Sequence, residues 1–554
     1  MKRELEKDIK EALRITKEKG ELKLDHIPPV ILENPKRAEH GDFSTPIAMT
    51  LASQERMSPK DIAEIILNNI TTDPEMVEDV KIALPGFINF KIKKSVWYEA
   101  LKDVDRLDQD YGRDNIGNGE KVQVEFVSAN PTGPIHVGHG RGAAVGDAIA
   151  NLLSAVGYEV EREYYINDVG RQIETLGRSV YIRYLQMSGK DIPFPDECYQ
   201  GDYIRDISKE IMDKEGDRFF SLPEDESLSF FSRYSYNKIL YGIKDDCRRF
   251  GITFDNWFSE RILHEDKEIE NTLRELEEKG YLYKKDDALW FRTSLFVDDK
   301  DRVIARSNNR LTYFASDIAY HKNKFNRGFK RVIDIWGADH HGYIPRMKAA
   351  VKMLGMPPEA LQILLVQLVN LKRGGRPVAM STRAGEFVTL KEVIEEVGKD
   401  AARFFFLMRR CDSPLDFDLE LAKEESSENP VYYVQYAHAR LCSIIRQADT
   451  RRIDISRSNN VDLCLLSLPE ELAIIKQIAL YPEVIRLSSS LLEPHRLTFY
   501  LQTLASLLHN YYYKYRVISD DRQMTDVRLV LINAVRIVIR NTLKILGVNA
   551  PERM

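Results

Sequence analysis

Residues 121–166 read KVQVEFVSANPTGPIHVGHGRGAAVGDAIANLLSAVGYEVEREYYI, and the order of their parts decides the fold. KVQVEFVS (121–128) has the β-branched and aromatic character of a buried strand. The Pro/Gly turn after it runs into GRGAAVGDAIANLLSAVG, whose apolar residues recur at helical spacing, and VEREYYI (160–166) is the next strand. Strand, turn, helix and strand in that order open a parallel α/β unit, which binds its ligand at the carboxyl ends of the strands. The turn itself, ANPTGPIHVGH (Ala129 to His139), suits a phosphate. A helix start offers unpaired N–H groups and a partial positive charge, and Gly138 and Gly140 let a nucleotide approach the backbone closely. His136 and His139, three apart, share one face and can donate hydrogen bonds to a phosphorus centre that gains negative charge. A bare H-x-G-H reads equally well as a surface pair or half of a metal site, but zinc needs a third ligand nearby. The surrounding strand, turn and helix favour the nucleotide.

Outward from this stretch, residues 1–110 open with a charged helical pattern and end in ALPGFINFKI, where Pro85-Gly86 turns the chain and Ile88, Phe90 and Ile92 alternate with Phe87, Asn89 and Lys91. These residues predict a small α/β domain, followed by the Gly/Asn-rich linker YGRDNIGNGEK (111–121). The α/β alternation extends over 118–385, interrupted at about 190–285 by a polar, aromatic, mostly helical insertion, and resumes with FKRVIDIWGADHH and LQILLVQLVNL. Beyond 385 strand signals nearly vanish. A connection at 386–430 leads into long helical patterns, such as EPHRLTFYLQTLASLLHNYYYKYRV, that predict an all-α bundle over 431–554.

The 554 residues suit several folding units, and 43% hydrophobic with 30% charged residues describe an ordinary globular chain. The five cysteines form no C-x-x-C pair, so neither a disulfide framework nor a cysteine zinc site is expected. The charged, Glu-containing N-terminus does not resemble a targeting segment, and no apolar run reaches membrane-spanning length, which makes the cytoplasm the expected location. With a net charge of −6, any polyanion must be held by local basic surface. Residues 431–554 carry roughly 16 Lys and Arg against 11 Asp and Glu in a Tyr-rich stretch, a composition that favours RNA.

HVGH resembles the HIGH signature of class I aminoacyl-tRNA synthetases, and VEFVSANPTGPI resembles the arginyl branch of that class. YINDVGRQ (165–172), WGADHHGY (336–343), MSTRAGEFVTL (380–390), YYVQYAHAR (432–440) and the terminal LGVNAPERM are similar to arginyl enzymes in the same order along nearly the whole chain. The resemblance implies a Rossmann-like class I catalytic domain at 118–385, a tRNA-elbow-binding domain at 1–110, a stem-contact connection at 386–430 and an anticodon-binding domain at 431–554. It further implies ATP, as its Mg2+ complex, L-arginine and tRNA(Arg) as substrates, with no protein-bound metal and a monomer expected.

Arginine's guanidinium is planar and always charged, so selecting it calls for carboxylates in forked geometry. The resemblance assigns this to Tyr313 and Asp317, four apart in LTYFASDIAYHK, with Glu125 and Asn130 on the substrate's amino and carboxylate groups and His136 and His341 lining the pocket. From the residues alone, an amphipathic helix whose Asp317 pairs with His321 is the plainer reading. Gly337, Asp339 and His340 match the adenosine-side loop, although a strand-end turn with a solvated Asp-His pair reads as well. MSTRAG stands in place of the KMSKS signature and departs from it: Ala379 and Thr382 occupy the two lysine positions. Met380 is then expected at ATP and Ser381 and Arg383 in catalysis, with Arg383 the substitute cation and Lys372, Arg373 and Arg376 in reserve.

For tRNA, Tyr433 and Tyr436 beside Arg440 offer stacking faces and a cation. The resemblance adds NYYYKYRV (510–517) and Met554 around the anticodon, and Phe43 in HGDFSTP as a stacking residue for the tRNA elbow. Core packing explains the 511–515 tyrosines equally well. The implied chemistry is attack of arginine's carboxylate on the ATP α-phosphate, then transfer to the terminal adenosine, 2'-hydroxyl first, with activation awaiting bound tRNA. The missing lysines leave a non-catalytic tRNA binder open, and H-x-G-H alone leaves a nucleotidyltransferase for another acceptor open.

Overall fold

The computed structural model describes residues 1–554 apart from 36, 297, 309, 379–386 and 454–457. It divides into two compact units, the first made of Met1–Asp108, Ala448–Ala479 and Tyr511–Val535, the second of Gln109–Gln447, Leu480–Asn510 and Arg536–Met554. In the first, the helix Lys2–Glu18 buries Leu5, Ile9, Ala12 and Leu13 along one stripe. An antiparallel sheet runs Phe43–Thr45, Phe87–Ile92, Val77–Ala83. Its central strand does not alternate strictly, because Asn89 is also buried and accepts from the Ser44 hydroxyl at 2.6 Å. Phe43 departs from expectation more sharply. Its ring is 0% exposed and packs on Trp97 with centroids 5.9 Å apart, so it serves the core and has no free face for a nucleotide base.

The second unit is built on five parallel strands in the spatial order Leu361–Val366, Arg331–Gly337, Lys121–Glu125, Glu159–Ile166, Asn256–Ser259. The chain enters at Lys121–Glu125, winds outward one way to Asn256–Ser259, then crosses back to fill the other side. The strand order therefore reverses between Lys121–Glu125 and Arg331–Gly337, which is where parallel α/β sheets bind ligands. Within the expected insertion at 190–285 lie the helices Asp202–Glu215 and Glu224–Arg249, but so does Asn256–Ser259, a strand of the sheet itself. Four residues are too few for alternation to reveal a strand. A second strand missed for the same reason, Leu415–Asp418, pairs in parallel with Val369–Arg373, and among the described residues no strand follows it. The remainder is helical: Pro430–Thr450, Pro469–Leu491, His495–Lys514 and Arg522–Leu546. No described helix is long and apolar enough to cross a membrane.

The helix Val137–Ala155 is buried along most of its length and lies tight on the end of the first strand. A Cβ at Gly146 would stand 2.2 Å from the Phe126 ring, one residue past Glu125. Farther on, buried Arg403 donates to the carbonyls of Leu546 and Phe250 at 3.0 and 3.2 Å and pairs with Asp147 of that helix. Gly146→Ala gains up to about 1 kcal/mol of helix propensity but overpacks Phe126 at about 1–3 kcal/mol. The expected outcome is a lower denaturation midpoint in guanidinium; an unchanged or higher midpoint contradicts the close packing.

Candidate active site

His136 ends the turn in extended conformation and caps the helix Val137–Ala155. The Gly138 N–H donates to His136 Nδ1 at 3.1 Å, and the His136 N–H donates to His139 Nδ1 at 3.3 Å. Both rings accept at Nδ1, so each carries its proton on Nε2, free to donate elsewhere. The rings lie 3.8 Å apart, and burial lowers both pKa values, His139 to about 3 with His136 adding to the effect. Two neutral N–H donors thus stand at the positive end of a helix. A Cβ at Gly138 would meet the His136 ring at 2.9 Å, so a larger residue there would displace that ring.

This turn is tied to the segment that follows MSTRAG. Val137 N–H donates to Val388 at 3.0 Å, Leu390 N–H donates to Ile135 at 2.9 Å, and Phe387 meets the His136 ring edge-on at 5.9 Å. Thr389 then opens the helix Leu390–Leu407 through a reciprocal cap with Glu392. Met380, Ser381 and Arg383 lie outside the described residues. Of the reserve cations, Lys372 is paired with Asp416 at 2.7 Å and Arg373 with Glu396 and Glu420, so neither stands as an uncommitted charge.

The other half of the site is acidic. After Glu125 the chain makes a strained turn, with Val127 and Ser128 both in the left-handed region at φ 69° and 39°. The turn is held where the Ser128 hydroxyl donates to Glu125 at 2.9 Å and accepts from Tyr165 N–H at 3.1 Å, and where Tyr164 donates to the Ala129 carbonyl at 2.8 Å. Asp317, half-buried on the helix Tyr313–Asn326, accepts a hydrogen bond from the Tyr343 hydroxyl. Burial pushes its carboxyl up to about 6; Tyr343 and His321 pull it down, while Glu260 and Glu125 push it further up. Glu260, directly after the strand Asn256–Ser259, is itself raised by burial. Three carboxylates from three segments therefore crowd the carboxyl ends of the strands. Such crowding is unfavourable when the space is empty and is relieved by a cation.

His321 does not pair with the Asp317 carboxylate. Its Nδ1 lies 2.7 Å from the Asp317 backbone carbonyl and its Nε2 2.8 Å from Asp334. Tyr313 opens the same helix with its ring 64% exposed, one turn before Asp317. Asn130 is exposed in the turn. Gly337 ends its strand, and Asp339 and His340 form an exposed pair at 3.6 Å, with His341 exposed beside them. Glu260 and Tyr343 were not among the residues expected from the sequence; Tyr343 lies two positions past His341 in WGADHHGY, whereas Glu260 follows a strand too short to notice.

Of the residues expected at tRNA, Tyr436 is 39% exposed and stacks with Tyr432 and His509, Tyr433 packs on His509, and Arg440 is exposed one turn on. The tail before Met554 is strapped to this helix by Gln435 on Asn549, His438 on Pro551 and Arg446 on Glu552, and Met554 itself is 56% exposed. Within 511–515, Tyr511 is core, bonded to Glu471 at 3.0 Å, while Tyr513 points outward.

A five-stranded parallel sheet, a doubled-histidine helix start at its strand ends and an appended helical region define a class I aminoacyl-tRNA synthetase. Family models agree along the chain: residues 104–407 match tRNA synthetases class I (R), catalytic domain; 3–92 match the arginyl tRNA synthetase N terminal domain; and 434–554 match the DALR anticodon binding domain. The chain is 55% identical over 554 residues to the arginine–tRNA ligase of Syntrophotalea carbinolica, with 100% of both chains covered. It is 53% identical over 536 residues to that of Citrifermentans bemidjiense, with 97% of both covered. The arginyl-tRNA synthetase of Thermus thermophilus shares the fold, with a TM-score of 0.80 at 22% identity and 100% of both chains covered. The chain belongs to the arginyl-tRNA synthetase family.

The lowered pKa of His139 has a consequence for stability. Between its ordinary value of 6.5 and about 3 the unfolded chain binds a proton at this residue that the folded chain does not. Stability contributed by the neutral ring is full above 6.5 and is lost as the pH falls toward about 3. The fall in denaturation midpoint across that range is expected to be shallower in His139→Gln than in the parent; equal slopes would contradict the buried neutral imidazole.

Proposed function

We propose how these residues carry the reaction of the family, the ATP-driven aminoacylation of tRNA(Arg). The guanidinium of arginine sits on Asp317, with Tyr343 aiming the carboxylate and Tyr313 and His341 closing the pocket. The substrate's amino group lies on Glu125 and its carboxylate near Asn130. The His136 and His139 Nε2–H groups and the first N–H groups of the helix donate to the phosphate oxygens, while Gly138 leaves the nucleotide room. Gly337, Asp339 and His340 face the adenosine, and Met380, Ser381 and Arg383 serve the triphosphate.

A carboxylate oxygen of arginine attacks the α-phosphorus in line, and the bond to the departing pyrophosphate breaks, giving arginyl-adenylate. A hydroxyl of the terminal adenosine then attacks the acyl carbon, AMP leaves with the electron pair of the anhydride oxygen, and the hydroxyl proton passes to the departing phosphate. The protein contributes positioning and fixed dipoles, with no covalent intermediate on any side chain. The donors at the helix start suit phosphate oxygens, and Mg2+ enters with ATP as part of the substrate. Tyr433, Tyr436, Arg440 and Met554 form the anticodon side. The enzyme acts as a monomer in the cytoplasm.

The observation that carries this reading is the pairing of a crowded acidic pocket with two neutral N–H donors at the ends of adjacent strands. In ATP–pyrophosphate exchange with tRNA present, His136→Ala and His139→Ala are each expected to lose about a hundredfold to a thousandfold in rate. Asp317→Ala is expected to raise the KM for arginine while leaving that for ATP in place. Near-normal exchange in both histidine variants, or equal effects of Asp317→Ala on the two substrates, would overturn the assignment.

A further inference from the structure

The helix Tyr313–Asn326 carries a second charged residue that faces inward. Lys324 is 0% exposed, and its ammonium lies 2.5 Å from Glu125 and 2.9 Å from Asp334. Asp334, also fully buried in the strand Arg331–Gly337, holds His321 of the same helix at 2.8 Å, and His321 holds the Asp317 carbonyl at 2.7 Å. Glu125 is bound on both sides, by Lys324 at Oε2 and by the Ser128 hydroxyl at Oε1. One helix therefore presents Asp317 directly to the pocket and fixes Glu125 from behind.

We infer that Lys324 is a positioning residue for the amino end of arginine: it holds the Glu125 carboxylate in place to receive the substrate's amino group. The inference rests on the reading that Glu125 receives the substrate's amino group. A buried carboxylate without a cation takes up a proton or turns away, and either change removes its grip on an ammonium. The guanidinium end, held by Asp317 and Tyr343, does not depend on the Lys324 charge. Lys324 thus distinguishes the two positive ends of one substrate, a pattern that general loss of fold does not produce.

Two analogues separate these ends. Agmatine is arginine without its carboxylate and keeps both cations; desamino-arginine keeps the guanidinium and carboxylate but lacks the amino group. The dissociation constants of both are measured by calorimetry on the full chain and on Lys324→Met. Agmatine is expected to weaken about tenfold or more, as for loss of a charged hydrogen bond, with desamino-arginine changed less than about twofold. Because Lys324→Met leaves two buried carboxylates without their cation, the charge-balanced pair Lys324→Met with Asp334→Asn is the second variant, with the same selective loss expected. Equal weakening of both analogues, or none, in a folded variant overturns the inference. Glu125→Gln tests the underlying reading separately: if it leaves agmatine binding unchanged, that reading fails, whereas selective loss in Glu125→Gln without loss in either Lys324 variant defeats only the role of Lys324.

Discussion

Lys324 brings a full positive charge into the interior of a parallel sheet, and much of the site depends on that burial. Two strands that flank the reversal of strand order end in or contain carboxylates, Glu125 and Asp334, and Lys324 binds both, at 2.5 and 2.9 Å. Burial pushes Asp334 upward, but Lys324 and His321 outweigh it and hold the carboxyl at about 2. Burial likewise works against the charge on Lys324, and Asp334, Glu125 and Glu163 outweigh it. Alongside lies a second buried cluster in which Arg327 pairs with Glu163 at 2.5 Å and Tyr320 donates to the same carboxylate. This second cluster fastens the helix Tyr313–Asn326 to the strands, and with it Asp317.

The His136 end of the site is held by backbone geometry. The helix start at His136 is hydrogen-bonded on one flank to the segment Val388–Leu390, so residues far apart in sequence meet beside the H-x-G-H turn. Neutral imidazoles suit this place. A protonated pair 3.8 Å apart would repel, and burial already disfavours the charge. The acidic pocket and the N–H-lined turn are thus opposite in electrostatic character, which matches a substrate with a cationic side chain and an anionic co-substrate.

Much of this was legible from one stretch of sequence. Strand, turn, H-x-G-H and helix each have a local mechanical cause, so residues 121–166 announce the sheet and the helix start at His136 without help from distant parts of the chain. The acidic pocket was legible only where the family resemblance pointed, at Glu125 and Asp317. Glu260 follows a four-residue strand whose membership in the sheet depends on pairing with Glu159–Ile166, a non-local fact. Lys324 looks like any lysine near a helix end, because what makes it buried is the pair of carboxylates brought to it by two strands. Phe43 shows the converse: the resemblance pointed to a stacking role for it, and its burial against Trp97 leaves no free face for one.

The central claim is that a carboxylate made reluctant to ionise by its burial becomes fully charged when a guanidinium arrives. It is tested most directly by the arginine Kd, measured by calorimetry across pH 5 to 8 in the parent chain and in Asp317→Asn. Because the Asp317 pKa is raised to about 6, the parent is predicted to bind more tightly as the pH rises through that value, approaching tenfold per pH unit below it and levelling off above. The variant is predicted to bind weakly with no inflection there. An inflection of equal size in both would contradict the account.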